Sequence, residues 1–257
     1  MRLLLAGGDV SPNLPDNDGW TPLSYAVSRG HRDAVKLLVE SQDINLNSLD
    51  SDGLTPLSHA VLWWQEDLVK LFLGHPNINP NLSDSKGRTP LSYAASQRYG
   101  GIAKLLLGYK DTNPNLSCIK GRTPLSYAAS QGCEGVVKLL LGRRDVNLNS
   151  SDHDGRTPLS CAAWRGHEGV VKLLVESRDI DPNSSDSKGR TPLSYAAGWG
   201  REDLVKLFLE RGNANLSLSD SEGRTPLSFA ALRGYEGIVK MLLECGNVNP
   251  NSSDNDG

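Results

Sequence analysis

Residues 121–129 read Gly-Arg-Thr-Pro-Leu-Ser-Tyr-Ala-Ala and contain the motif on which the whole chain is built. The tetrapeptide Thr-Pro-Leu-Ser occurs seven times, and each copy follows the previous one by 34 residues without any insertion. Its threonines are Thr21, Thr55, Thr89, Thr123, Thr157, Thr191 and Thr225. A fixed period of this length indicates stacked supersecondary units instead of one globular core.

Within one period the residues predict two helices and a polar arm. Thr123 is placed to cap a helix, and Pro124 suits the first helical position. Small and apolar residues then recur at helical spacing until Gly132, a residue that ends helices well. Residues 136–141 are mostly apolar and predict a second helix, whereas residues 142–156 are rich in Asn, Ser, Asp and Gly. Such a composition is typical of turns, so the arm is predicted to be extended and hairpin-like.

The unit resembles the ankyrin repeat. The resemblance rests on the quoted motif, on Gly-His-Glu-Gly-Val-Val-Lys-Leu-Leu-Val at residues 166–175, and on Asn-x-Asn and Asp-x-x-Gly in the arm, and it covers the whole chain. It implies an all-α fold, an ankyrin-type α-solenoid of helix-turn-helix units joined by extended hairpin-like arms. The family pattern differs in having a period of about 33 residues and His in place of the serine of Thr-Pro-Leu-Ser. Near-identical copies with Thr-Pro-Leu-Ser are also similar to arrays of large fungal multidomain proteins, including NOD-like receptors.

The period predicts one elongated array with fixed boundaries. A truncated repeat at residues 1–20, made of a second helix and its arm, precedes seven repeats. Repeats 1 to 7 are predicted at residues 21–54, 55–88, 89–122, 123–156, 157–190, 191–224 and 225–257. Both ends look cut, so we expect a fragment of a longer array. We expect a monomer, with end-to-end association of the terminal faces as the alternative.

Composition and charge narrow the classes of partner. The chain has 27 Lys and Arg against 30 Asp and Glu, a formal net charge of −3, which argues against a general nucleic-acid or membrane-surface binder. No apolar run is long enough to cross a membrane. The four cysteines have no metal-ligand spacing and are interpreted as reduced thiols. We therefore expect no metal, no cofactor and a cytoplasmic location, with the nucleus left open.

The sequence does not predict an enzyme or a small-molecule substrate. Ser126 and its equivalents recur in every repeat, without a histidine and a carboxylate placed to activate them. No glycine pattern of a phosphate-binding loop is present. His31 and His167 follow the first helix of their repeats, where the resemblance implies hydrogen bonds within the loops. His59 replaces an aromatic residue and is expected at the surface.

The positions that vary between repeats predict the functional surface. Counted from each Thr, residues at +4, +7 and +8 share one face of the first helix, and the residue at −1 lies on the preceding arm. We call these positions the variable face; the resemblance implies that they line a concave groove and contact partners. The candidate binding residues are Trp20, Trp63, Trp164, Trp199, Leu232, Tyr93, Tyr127, Tyr195, Arg88, Arg122, Arg156, Arg190 and Arg224.

Each class of candidate has a structural alternative. The tyrosines at +4 are also suited to stacking on one another between repeats. The arginines at −1 are also suited to pairing with carboxylates of the arms. The tryptophans occupy no recurring core position, and large aromatic residues outside the core are favoured anchors of interfaces.

The sequence therefore predicts a non-catalytic module that binds a partner protein along the groove and the arm tips. The alternative is an architectural or regulatory array that packs on its own chain within a larger receptor-like protein. Nucleic-acid binding through the arginines is a third class, disfavoured by the acidic residues beside them.

Repeats 2 and 3 are predicted to be the weakest. Trp64 and Arg98 replace the glycine that ends the first helix, at a position where a left-handed backbone strains a bulky residue. In repeat 3, Ala103 replaces a valine-type core residue, and Gly101 lies at the start of a helix.

Overall fold

The computed structural model describes residues 11–41 and 43–245, which form fourteen α-helices and no strand. In chain order they are α1 (Pro22–Ser28), α2 (Arg32–Val39), α3 (Pro56–Leu62), α4 (Glu66–Leu73), α5 (Pro90–Ser96), α6 (Gly100–Gly108), α7 (Pro124–Ser130), α8 (Glu134–Leu141), α9 (Pro158–Arg165), α10 (Glu168–Val175), α11 (Pro192–Gly198), α12 (Glu202–Arg211), α13 (Pro226–Leu232) and α14 (Glu236–Glu244). The prediction of an all-α fold of helix-turn-helix units is confirmed. The helix predicted in the truncated first repeat, over residues 1–10, and the last arm, over residues 246–257, lie outside the described residues.

The Thr-Pro-Leu-Ser motif starts the first helix of every repeat. Its threonine side chain accepts a hydrogen bond from the backbone N–H of the serine three residues later, at 3.0–3.3 Å in all seven copies. The proline follows at the first helical position, where a missing N–H leaves no intrahelical bond unmade. The serine hydroxyl lies 3.0–3.2 Å from the threonine hydroxyl. The predicted N-caps are therefore confirmed.

The chain forms two compact units, residues 1–119 and residues 120–257. In the first unit, α1, α3 and α5 pack in one row, and α2, α4 and α6 pack in a second row. In the second unit, α7, α9, α11 and α13 form the row of first helices, and α8, α10, α12 and α14 form the other. Small and branched apolar residues fill the space between the rows; Ala128, Ala129, Val137 and Leu140 are fully buried.

The arms are closed by local hydrogen bonds and stack on one another. Residues 152–156 end repeat 4 and lead into the first helix of repeat 5, so this stretch and its equivalents are counted from here on with the repeat whose first helix they enter. In this stretch the N–H of Asp152 donates to the carbonyl of Arg156, and the N–H of Gly155 donates to the carbonyl of Asp152. One further backbone bond joins each arm to the next, as from Ser187 N–H to the carbonyl of Asp154 at 2.8 Å. Gly155 has φ +78°, and a Cβ there would lie 2.6 Å from the Ser187 nitrogen. The hairpin-like arm is confirmed, and its turn requires glycine for both conformation and space.

Asparagine side chains join successive repeats at the base of the arms. The amide of Asn47 donates to the carbonyl of Asn77, and its carbonyl oxygen accepts from the N–H of Asn79. Asn149 makes the same pair of bonds, with the carbonyl of Asp179 and the N–H of Asp181. Since one side chain satisfies two backbone groups of the following repeat, the recurring Asn-x-Asn has a structural role.

Candidate functional site

The variable face contains a recurring arrangement of arginine, aspartate and an aromatic ring. In repeat 6, Arg190 at −1 reaches Asp186 of the same arm at 2.7 Å, and its Cζ lies 4.9 Å from the ring centre of Tyr195. In repeat 3, Arg88 reaches Asp84 at 2.8 Å. Equivalent ion pairs join Arg156 to Asp152 at 3.1 Å and Arg224 to Asp220 at 2.7 Å. At these four positions the arginine therefore pairs with a carboxylate of the arm, as the structural alternative predicted.

In repeats 3 and 6 a tyrosine of the first helix binds the same aspartate as the arginine. The hydroxyl of Tyr93 donates to Asp84 Oδ2 at 2.6 Å, and the hydroxyl of Tyr195 donates to Asp186 Oδ2 at 2.5 Å. Both tyrosines are only 5% exposed. The expectation that these two residues contact a partner does not fit their burial, because ring and hydroxyl are already engaged inside the repeat. We remove Tyr93 and Tyr195 from the proposed binding surface.

The pKa values of these groups follow from the same contacts. Burial disfavours the charged form of Asp84 and Asp186, but hydrogen bonds from the tyrosine and the arginine outweigh it and hold the pKa of each carboxyl below its ordinary value. Burial, together with the hydrogen bond to the carboxylate, raises the pKa of Tyr93 and Tyr195. At neutral pH the aspartates are ionised and the tyrosines protonated.

In repeat 2 the arm aspartate is also bound by a residue of the first helix, but the residues differ. This repeat has Leu54 in place of the arginine and His59 in place of the tyrosine. The expectation that His59 is a surface residue is wrong, because it is only 3% exposed. Its Nε2 lies 2.8 Å from Asp50 Oδ2, and its ring centre lies 4.5 Å from that of Trp20. A buried histidine thus ties the arm of repeat 2 to its first helix.

Three large apolar side chains of the variable face are exposed. Trp63 is 61% exposed, Trp199 is 46% exposed and Leu232 is 72% exposed. The Arg233 guanidinium covers one side of Trp199, with its Cζ 5.1 Å from the ring centre. These residues extend from the first helices of repeats 2, 6 and 7 without entering the core between the rows.

Two further tryptophans of the variable face are half-buried. The ring of Trp164 contacts two guanidiniums, with Arg165 Cζ at 4.7 Å and Arg156 Cζ at 5.4 Å from its centre. Trp20 packs against Tyr25, whose ring centre lies 5.2 Å away. These two tryptophans therefore combine packing within the chain with a partly accessible edge.

Arg122 and Tyr127 of repeat 4 are held differently from the other Arg–Tyr pairs. The Arg122 Cζ lies 4.6 Å from the ring centre of Tyr127, which is half-buried. Its Nη2 donates to Ser130 Oγ at 2.5 Å, on the first helix of the repeat. Both residues remain candidates for the binding surface.

Pairing of the arginines with arm carboxylates was predicted as an alternative, but the aspartate that makes each pair was not identified. The available signal was positional, because Asp recurs nine residues before position +4 in six of the seven repeats. A second unpredicted feature is Trp64, which is exposed and stacks on Tyr99 with ring centres 6.2 Å apart.

The serines of the motif are not arranged for nucleophilic chemistry. Ser126 is fully buried, and its hydroxyl lies 3.1 Å from that of Thr123. His167 bonds the carbonyl of Ser130 at 3.1 Å, in agreement with the predicted loop role. Within residues 11–41 and 43–245, no three His, Cys, Asp or Glu side chains are grouped to hold a metal ion, and no helix is long and apolar enough to span a membrane.

Comparison with known proteins agrees with the architecture. The family profile described as ankyrin repeats (3 copies) matches residues 1–84, 45–118, 65–152, 100–186 and 179–254. The crystal structure of EF0377, an ankyrin repeat protein, is similar with 32% identity and a TM-score of 0.70, covering 73% of this chain and 96% of that chain.

A second similar structure is the ankyrin repeat domain of Bcl-3, described as a unique member of the IkappaB protein family. It has 28% identity and a TM-score of 0.77, covering 89% of this chain and 100% of that chain. No curated protein matches in sequence. The repeated motif, the paired helices and a profile match over most of the residues lead to one assignment: the chain belongs to the ankyrin repeat family.

Proposed function

We propose that the chain is a non-catalytic module that binds a partner protein on the variable face. We further propose that it acts as a monomer in the cytoplasm, with the nucleus as the second location. Ankyrin repeats are protein-interaction modules, which supports the general class.

The exposure of Trp63, Trp199 and Leu232 is the observation that carries the proposal. Large apolar side chains are usually buried, and exposed tryptophans outside the core are favoured anchors of protein interfaces. Each of the three belongs to the same set of positions, +7 and +8 of a first helix. We therefore infer that these residues are buried when a partner is bound.

Two arginines of the variable face are already held in place by contacts within the chain. Arg190 and Arg224 lie over an aromatic ring and are paired with an arm aspartate. A side chain held in this way loses little conformational entropy on binding. We therefore propose that these arginines form an ordered polar rim around an apolar interface.

Site-specific photo-crosslinking in the source cell tests this proposal. A benzoylphenylalanine is placed at position 63 or 199, and the control is placed at Lys138, which is exposed on the second helix of repeat 4. We expect crosslinks to a separate protein from positions 63 and 199 and none from 138. Crosslinks from 138 alone would contradict the proposal. Crosslinks from 63 and 199 only to the same polypeptide would favour the architectural alternative.

A triple variant, Trp63→Ala/Trp199→Ala/Leu232→Ala, separates binding from folding. Because the three side chains are exposed, each change is expected to alter the free energy of unfolding by about 0.5 kcal/mol or less. The crosslinked partner should be lost from cell extracts at a nearly unchanged melting temperature. A variant that melts far below wild type would show that these residues belong to the core.

A further inference from the structure

We propose that Arg122 of repeat 4 binds a carboxylate of the partner, from an Asp or Glu side chain. The proposal rests on the proposed function, because it names a chemical group that the same face would recognise. Arg122 then serves as the point of the variable face at which an acidic partner segment is fixed.

The five arginines at −1 differ in one respect. Arg88, Arg156, Arg190 and Arg224 each pair with the aspartate four residues earlier in the arm. Repeat 4 has Cys118 at the corresponding position, so its sequence offers no carboxylate there. Arg122 is therefore the one arginine of this set whose repeat lacks an acidic partner.

The immediate contacts of Arg122 are all with neutral groups. Its Nη2 donates to Ser130 Oγ at 2.5 Å and approaches the carbonyl of Ser126 at 3.4 Å. Its Nε is buried and has no hydrogen-bond partner within the described part of the chain. Half-burial removes part of the hydration of the Arg122 guanidinium, and its neutral acceptors provide no opposite charge in return. A bound anion would supply that opposite charge.

The charges around Arg122 also favour an anion. Cys161 of the next repeat lies within electrostatic range of three arginines and one carboxylate: Arg122, Arg156, Arg165 and Asp152. Asp152 pairs with Arg156 at 3.1 Å, so its charge is compensated within its own arm. Burial raises the pKa of the Cys161 thiol to about 11, so this cysteine adds no negative charge at neutral pH.

Contacts in the other repeats favour a carboxylate as the anion. In repeats 3 and 6 the same pair of residues, an arginine at −1 and a tyrosine at +4, holds an aspartate side chain. A phosphate group is usually recognised by a cluster of unpaired arginines. The four other arginines at −1 each pair with an aspartate, so we propose an acidic peptide as the ligand of Arg122 and treat a phosphopeptide as an outcome of the test.

The probe is a peptide selected on the full chain from a random twelve-residue display library. We expect Asp or Glu to be enriched in the selected peptides. Binding of one enriched peptide is then measured by fluorescence anisotropy, together with a version in which the acidic residues are changed to Asn or Gln. Arg122→Gln should weaken the acidic peptide roughly tenfold or more and leave the amide version nearly unchanged.

Two substitutions at position 118 provide a matched control. Cys118→Asp gives repeat 4 the arm carboxylate of the other repeats, which should compete for Arg122 and weaken the acidic peptide by a similar factor. Cys118→Asn has nearly the same shape without the charge and should retain binding. Circular dichroism melts show which variants are folded, and Arg122→Gln still tests the proposal if either change at position 118 prevents folding.

The outcomes separate this proposal from the proposed function. Selected peptides without enriched acidic residues, no selected peptide at all, or equal binding of the acidic and amide versions would overturn the role of Arg122. A clear preference for a phosphoserine version over the acidic one would also overturn it. Peptides that are insensitive to Arg122→Gln but lose binding with the Trp63/Trp199/Leu232 triple variant would leave the proposed function standing. Acidic peptides that depend on Arg122 but ignore the triple variant would support the role of Arg122 and count against the apolar anchors.

Discussion

The turns between the two helices of a repeat have the same backbone in both units but different residues. In repeats 4 to 7 of the second unit the turn residue is glycine with φ between 68° and 75°. In the first unit, repeats 2 and 3 have Trp64 with φ 54° and Arg98 with φ 66°. The left-handed conformation predicted for both residues is confirmed. Packing of the helices thus imposes the conformation, and the residue type changes the free energy of the turn instead of its shape.

The environment of the turn explains how a bulky residue is accommodated. In repeats 4 to 6 a side chain of the following repeat covers the glycine, as His167 covers Gly132 with Nδ1 2.7 Å from the site of a Cβ. In the first unit the Trp64 ring points outward and stacks on Tyr99 of the following repeat. The large residue is therefore tolerated by extending into solvent, at the expense of backbone strain.

One predicted weakness of repeat 3 is not specific to that repeat. Glycine at the position of Gly101 also occurs in repeats 4, 5 and 7. It makes room for a carboxylate of the preceding repeat, since a Cβ at Gly101 would lie 2.7 Å from Glu66 Oε2. The unusual residue is Gly100, which replaces the glutamate found at this helix start in five other repeats. A helix without an acidic residue in its first turn loses a favourable interaction with the helix dipole.

The largest effect on the free energy of unfolding is expected from substitutions in the cores of the two units. Leu106 and Leu140 occupy the same position of repeats 3 and 4 and are fully buried. Leu140→Ala should lower the free energy of unfolding by about 2–5 kcal/mol through the cavity that it leaves. Leu106→Ala should have a smaller effect, because the neighbouring Ala103 makes this core easier to collapse. Urea unfolding of both variants checks the difference, and a larger loss for Leu106→Ala would contradict it.

Exchanging the turn residues between the units should have an intermediate effect. Gly166→Arg places a bulky residue at positive φ beneath the side chain of Arg201 and should destabilise repeat 5 by about 2 kcal/mol. Arg98→Gly relieves the same strain and should stabilise repeat 3 by about 1 kcal/mol. Hydrogen exchange measures both changes locally, because losses in a nearest-neighbour array stay near their origin.

The unmodified chain provides the reference for this exchange experiment. Amides of residues 60–110 are expected to exchange faster than those of residues 123–210, by about a factor of ten for a difference of about 1.4 kcal/mol. Arg98→Gly should reduce this difference, and Gly166→Arg should reverse it around repeat 5. Uniform protection along the wild-type chain would refute the prediction.

The smallest expected effect is a loss of stability at acidic pH, and it should occur in both units. The pKa of Asp84 in the first unit and of Asp186 and Asp220 in the second lies below the ordinary value, although burial opposes ionisation, because hydrogen bonds stabilise each carboxylate. A lowered folded-state pKa adds stability above the unfolded value of about 4, and this stability is lost as the pH falls through the folded-state value. The free energy of unfolding should therefore decrease below about pH 4.

The asparagine variants Asp84→Asn and Asp186→Asn test this pH dependence. Each removes one titrating group, so each should be less stable than wild type at neutral pH and lose less stability on acidification. The measurement is the urea midpoint between neutral pH and pH 3. An unchanged pH dependence in both variants would show that these carboxyls do not contribute to it.

Local features of the fold were predictable from the order of the residues. The threonine caps depend on groups three residues apart, as in the bond from Ser126 N–H to Thr123 Oγ1. Such short contacts form within one helix and its turn, so residue type and spacing determine them. The exposure of Trp63 and Trp199 was also predictable, because neither occupies a recurring core position.

Contacts between separate parts of the chain were decided only by the tertiary structure. Tyr93, Tyr195 and His59 meet an aspartate nine residues earlier only because the arm folds back onto the first helix. The amide of Asn47 finds its partners 30 and 32 residues away, in the arm of the next repeat. The type of a residue determines which hydrogen bonds and ion pairs it can make. Whether the residue is buried, and which partner it contacts, depends on how the helices and arms pack against one another. For this reason the sequence alone identified the variable positions, whereas the structure showed which of these side chains are exposed and which are buried in contacts within the chain.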